Sequence, residues 1–138
     1  SFIKVMFPNE DDIPATLLHK DPIHNLAVLQ LNNRPKVKHK QLTYSKNSYV
    51  LRSENVYTIG YPWANTMEDK HVLIKGSTSL SRKLDLIPIT MPLNVVNSGG
   101  PLFNSNNELE GMVLFEKHAV DYYELERSKI YDYAIPVP

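Results

Sequence analysis

The string Asn97-Ser98-Gly99-Gly100-Pro101-Leu102 holds the clearest chemistry in the sequence. Two glycines after a serine permit a tight backbone that holds the hydroxyl outward, and the amide of a serine so placed can help bind an oxyanion. Those are parts of nucleophilic catalysis, although a Ser-Gly-Gly-Pro stretch is by itself also an ordinary inter-strand turn. A second polar string, Asp21-Pro22-Ile23-His24-Asn25, runs directly into the apolar segment Leu26-Ala27-Val28-Leu29-Gln30-Leu31. Other chemically able groups have plainer explanations. The carboxylate pairs Asp11/Asp12 and Glu124/Glu126 lack any sugar-binding context and read as solvated faces. Trp63 with Tyr61 and Pro62 reads as a cap on a barrel end before a peptide-docking surface, and Asp121, Tyr122, Tyr123, Tyr131 and Tyr133 as core and rim residues before a partner site. No phosphate loop, metal-ligand spacing or base-stacking motif is present, so neither a cofactor nor a metal is expected.

These residues have to be positioned by short strands. Ten prolines, five glycines and frequent asparagines break the chain too often for helical periodicity to persist. Strands are expected at Phe2 to Phe7, Ala15 to His19, Leu26 to Leu31, Ser48 to Arg52, Asn55 to Gly60, His71 to Ser77, Leu84 to Thr90, Pro101 to Phe103, Leu109 to Phe115 and Tyr133 to Pro136. The Leu26 to Leu31 run is apolar enough to be expected buried on both faces. One helical turn is expected within Val120 to Lys129. From Ser48 on, turn residues recur about every 8–12 residues, the rhythm of a barrel or sandwich. Asn32 to Lys40, with three lysines and an arginine, reads as an exposed connector between two halves.

Composition sets the outer bounds. The 138 residues fit one domain, and 42% hydrophobic with 22% charged residues is ordinary for a folded globular chain. Fifteen basic residues balance fifteen acidic ones, and the absence of a like-charge run argues against a nucleic-acid or membrane-surface binder. With no cysteine, disulfide frameworks and thiolate chemistry are excluded. No apolar stretch approaches the ~20 residues needed to span a bilayer. Opening on Ser1-Phe2-Ile3-Lys4-Val5, the chain reads as a mature product or an excerpt of something longer.

Several motifs in order resemble the HtrA-type (Deg-type) serine proteases of the trypsin-like clan. Asp21 to Leu31 resembles the segment carrying the triad Asp, Asn55 to Pro62 the strand ending in an Ile-Gly-x-Pro turn, and Lys75-Gly76-Ser77-Thr78-Ser79 the Gly-x-x-Ser strand end. Leu109-Glu110-Gly111-Met112-Val113 is similar to the strand after the nucleophile, and Tyr133-Ala134-Ile135-Pro136 to the closing Phe-Ala-Ile-Pro element. The resemblance implies an all-β, trypsin-like double β-barrel. Residues 1–31 would form the later part of a first, incomplete barrel, residues 32–47 the connector, and residues 48–138 the second barrel. Its mechanism would be acyl transfer by Ser98, with a His base, an orienting Asp and backbone amides of residues 96–98 as the oxyanion hole.

The chain departs from that pattern at three places. The position before Leu26-Ala27 should be Asp and is Asn25, whose amide has no charge to stabilise an imidazolium. In a trypsin-like triad that exchange lowers the rate by on the order of 10⁴-fold. The family's Gly two residues before the nucleophile is Val96, with Val95 for the preceding Pro. A β-branched residue holding a positive φ there would cost roughly 1–3 kcal/mol. Finally, the triad His would precede the Phe2 to Phe7 strand, and His19, His24, His39, His71 and His118 all stand elsewhere. If His24 lies on a strand, it points to the opposite side from Asn25.

The expected function is therefore a pseudoprotease with a binding or structural role, the alternative being an active endopeptidase whose His lies upstream of Ser1. Either implies a polypeptide substrate or protein partner, with a homo-oligomer or larger assembly as a further option and no nucleic acid or membrane span. Three strands before the connector would also leave open edges and an uncovered core face.

Overall fold

A computed structural model of the chain describes residues 2–46, 54–60, 71–78, 86–93, 97–114 and 132–136. The strand expected at Ser48 to Arg52, the helical turn within Val120 to Lys129, Glu124, Glu126, Trp63 with Tyr61 and Pro62, Val95, Val96 and His118 lie outside these residues. So do Asp121, Tyr122, Tyr123 and Tyr131. Among the described residues nine strands form: β1 (Ile3–Val5), β2 (Ile13–Asp21), β3 (Leu26–Leu31), β4 (Asn55–Gly60), β5 (Val72–Thr78), β6 (Ile87–Thr90), β7 (Pro101–Asn104), β8 (Leu109–Leu114) and β9 (Asp132–Pro136). The chain divides into two compact units, residues 1–41 and 42–138.

In the first unit β1, β2 and β3 form an antiparallel sheet in sequence order. Its register aligns Ile3 with Ala15, Val5 with Ile13, Ala15 with Leu31 and Leu17 with Leu29, so one face is apolar across all three strands. The opposite face carries Lys4, Thr16, Gln30 and His19 beside Val28. Contrary to the expectation of burial on both faces, β3 is largely exposed, with Val28 at 53% and Leu29 at 41%. The physical reason is the layer count: a three-stranded sheet has nothing of its own to pack on its apolar face. A bulge between Leu17 and His19 shifts the β2–β3 register by one residue.

The second unit is a closed antiparallel barrel in the order β4-β5-β6-β9-β8-β7. Every described barrel strand coincides with one expected from the sequence to within three residues, since each is a short β-branched or apolar run between turn formers. Val56, Ile87, Ile89, Met91, Leu102, Val113 and Ala134 converge to form its core. Fully burying a side chain of this size stabilises by about 1.5–3 kcal/mol. Residues 43–45 pack on the barrel as well: the Leu109 amide donates to Thr43 O at 2.8 Å and the Ser45 amide to Leu109 O at 2.9 Å.

Candidate functional site

The residues from Asn97 to Gly100 form a tight turn entering β7. Asn97 is buried, Ser98 half-buried and Gly99 exposed. The Gly100 amide donates to Asn97 O at 3.0 Å and closes the turn. Gly99 takes φ +87°, a conformation that costs glycine nothing and other residues a great deal. Two further bonds tie the turn to β8: the Gly99 amide donates to Val113 O, and the Val113 amide to Gly100 O, both at 2.8 Å. The Gly99 and Gly100 amides are thus committed within the fold.

Below the turn, β4 supplies two of its neighbours. A Cβ on Gly60 would sit 2.8 Å from Asn97 Nδ2, so the glycine of the Ile-Gly-x-Pro string makes room for the side chain before the serine. A Cβ on Gly100 would lie 3.2 Å from Thr58 Oγ1. Thr58 is fully buried, and its hydroxyl has no hydrogen-bond partner. Two motifs separated by almost forty residues of sequence therefore meet at one turn.

Asn25 belongs to the first unit, in the turn joining β2 to β3. Asp21 builds that turn: its Oδ1 accepts the amides of Ile23 at 3.0 Å and His24 at 3.2 Å. Its Oδ2 accepts from His24 Nδ1 at 2.6 Å, and this bond holds the Asp21 carboxyl below its ordinary value. Hence His24 is not on a strand but folded back onto Asp21 within the turn. The sequence signal for this was the Asp-Pro-x-His spacing itself. Asn25 is exposed and takes φ +56°, one of the left-handed positions that Asn and Asp tolerate best among residues with a Cβ.

His19, His39 and His71 are exposed, and the His39 ring stacks on Phe7 at 4.6 Å between centroids. Among the described residues no group of three or more His, Asp or Glu is arranged to hold a metal ion, and no helix is long and apolar enough to cross a membrane.

The trypsin-like peptidase domain family matches residues 1–112. The chain belongs to the trypsin-like peptidases. Among solved structures, this trypsin-like peptidase chain is similar to the serine endoprotease from Yersinia pestis, with a TM-score of 0.71 and 25% identity. That match covers 98% of this chain but only 44% of the Yersinia protein, so the chain spans less than half of its length. Together with the ordered motifs from Asp21 to Pro136, it supports the HtrA/Deg-type branch of the family. No curated protein matches the chain at a significant level.

Proposed function

We propose that the chain is a trypsin-like protease-fold domain without peptidase activity, serving a binding or structural role toward a polypeptide partner. Asn25 carries this reading. It stands where the resemblance puts the triad Asp, in a turn whose left-handed backbone suits Asn and Asp alike. The exchange therefore leaves the local conformation undisturbed and removes only the charge. Without that charge an imidazolium formed during acyl transfer has no counter-ion, and the amide can hold the ring in the wrong tautomer. Val96, two residues before Ser98, adds a second loss at the oxyanion hole.

One observation favours a second reading, an active HtrA-type endopeptidase whose base comes from outside these 138 residues. The turn from Asn97 to Gly100 is fully closed and hydrogen-bonded to β8, as a working nucleophile loop must be. A fluorophosphonate probe separates the two. The full-length protein is expected to label no more than its Ser98→Ala variant and to leave unfolded protein uncut. The double replacement Asn25→Asp with Val96→Gly should raise labelling above that background if an upstream His completes the triad. Strong labelling of the unaltered protein, abolished by Ser98→Ala, would establish the active reading instead, because a triad acts as a unit.

A further inference from the structure

The segment after β3 carries charge that the nucleophile-like turn does not use. Four of the chain's fifteen basic residues, Arg34, Lys36, Lys38 and Lys40, stand between Asn32 and Gln41, and none of its fifteen acidic residues does. All four are exposed. No carboxylate among the described residues forms an ion pair with any of them. Residues two apart in a chain are at most about 7 Å from each other, inside the screening length of about 8 Å at physiological salt. The four cations therefore repel one another until an anion comes among them.

A loose basic tail would relieve that repulsion by spreading out, but this segment is held at three points. The Asn32 amide donates to Pro14 O at 2.9 Å, and Asn32 Oδ1 accepts from Thr16 Oγ1 at 2.9 Å, both partners on β2. Glu10, in the turn between β1 and β2, accepts the Lys36 amide on Oε1 at 2.9 Å. The His39 ring stacks on Phe7, just past β1. The segment itself is neither helix nor strand, and the amides of Val37, Lys38, His39 and Lys40 donate to no group of the described residues. An ordered segment with open amides can take up an extended chain by main-chain hydrogen bonds, while side chains set the choice of partner.

We propose that residues 34–40 bind an acidic, extended segment of a polypeptide partner. This names the partner's chemistry for the binding role proposed above and rests on that role. The partner's carboxylates meet Arg34, Lys36, Lys38 and Lys40, and its main chain meets the open amides. Val37, 58% exposed among the lysines, adds an apolar contact. A polypeptide fits this surface better than a nucleic acid does. Glu10, which holds the Lys36 amide, is followed by the exposed Asp11 and Asp12, and these oppose the unbroken charge of a phosphate backbone. An acidic segment of polypeptide can end before them.

The test is fluorescence anisotropy of a fluorescein-labelled peptide of alternating Glu and Thr, titrated with the full-length protein at low salt. Arg34→Gln, Lys36→Gln, Lys38→Gln and Lys40→Gln together should weaken binding by about 10–100-fold, since each exposed pair contributes little and the four add. The exchange keeps the main-chain anchor at Lys36. Removing the same charge at four other exposed lysines, by Lys4→Gln, Lys20→Gln, Lys46→Gln and Lys75→Gln, should change binding by less than about twofold. Equal weakening in the two variants would overturn the proposal. So would failure of the peptide to bind, or a thymidine oligonucleotide of the same length that binds as tightly. Failure here is distinct from failure of the inactive reading: fluorophosphonate labelling of Ser98 would overturn that reading and leave the peptide affinity, measured on Ser98→Ala, as it is.

Discussion

At Asn25 the residue type and the backbone separate two kinds of loss. A left-handed φ of +56° accepts Asn and Asp with similar ease, so the exchange proposed for Asn25 is chemical and leaves the turn as it was. That proposal could be drawn from the sequence because Asn25 stands within an ordered motif. The way His24 folds back onto Asp21 was missed, although the Asp-Pro-x-His spacing carries its signal. Thr58 was likewise invisible in the sequence, where it reads as one more strand residue. Its hydroxyl is fully buried without a partner beneath Gly100, a burial that typically costs about 1–3 kcal/mol. Thr58→Val keeps the shape and removes the stranded group, so urea denaturation should show stability unchanged or raised by about 1 kcal/mol. A loss larger than that would mean the hydroxyl is bonded in solution.

The strands themselves were readable as short runs of β-formers between Pro, Gly and Asn. What the sequence could not carry was the register. The extra residue Glu110 in β8, opposite Leu102 and Phe103, and the one between Leu17 and His19 in β2 each turn a strand by one residue. For the same reason the burial of Glu110 was missed: its strand was recognised, but nothing in one sequence says which face a residue at a bulge takes. Burial also differs between strands that look equally apolar. Leu102 of β7 is fully buried in the barrel core, whereas Leu29 of β3 is 41% exposed. Leu102→Ala should therefore lower the unfolding free energy by about 2–5 kcal/mol, and Leu29→Ala by far less. Comparable losses at both positions, measured in the same denaturant, would show that the face around Leu29 is covered in solution.

Over the whole chain, balanced charge and an ordinary apolar fraction gave no hint that the two units would be so unequally supported. Of the eleven buried apolar residues among those described, only Ile13 lies in residues 1–41, and the other ten belong to the barrel. The barrel also closes on itself, so none of its strands presents a free edge, while the three-stranded sheet ends on β1 and β3. A sheet of about forty residues held by so little core should open locally at a free energy well below that of global unfolding. Native-state hydrogen exchange can measure both quantities in one experiment. Amides in the β2–β3 pairing, such as those near Leu17 and Leu29, should exchange at least tenfold faster than amides of β4 and β8 flanking Thr58 and Val113. Equal protection in the two units would mean that the apolar face of Ile3, Ala15, Leu17, Leu29 and Leu31 is covered in solution, and the sheet would then have to be counted as part of one cooperative core.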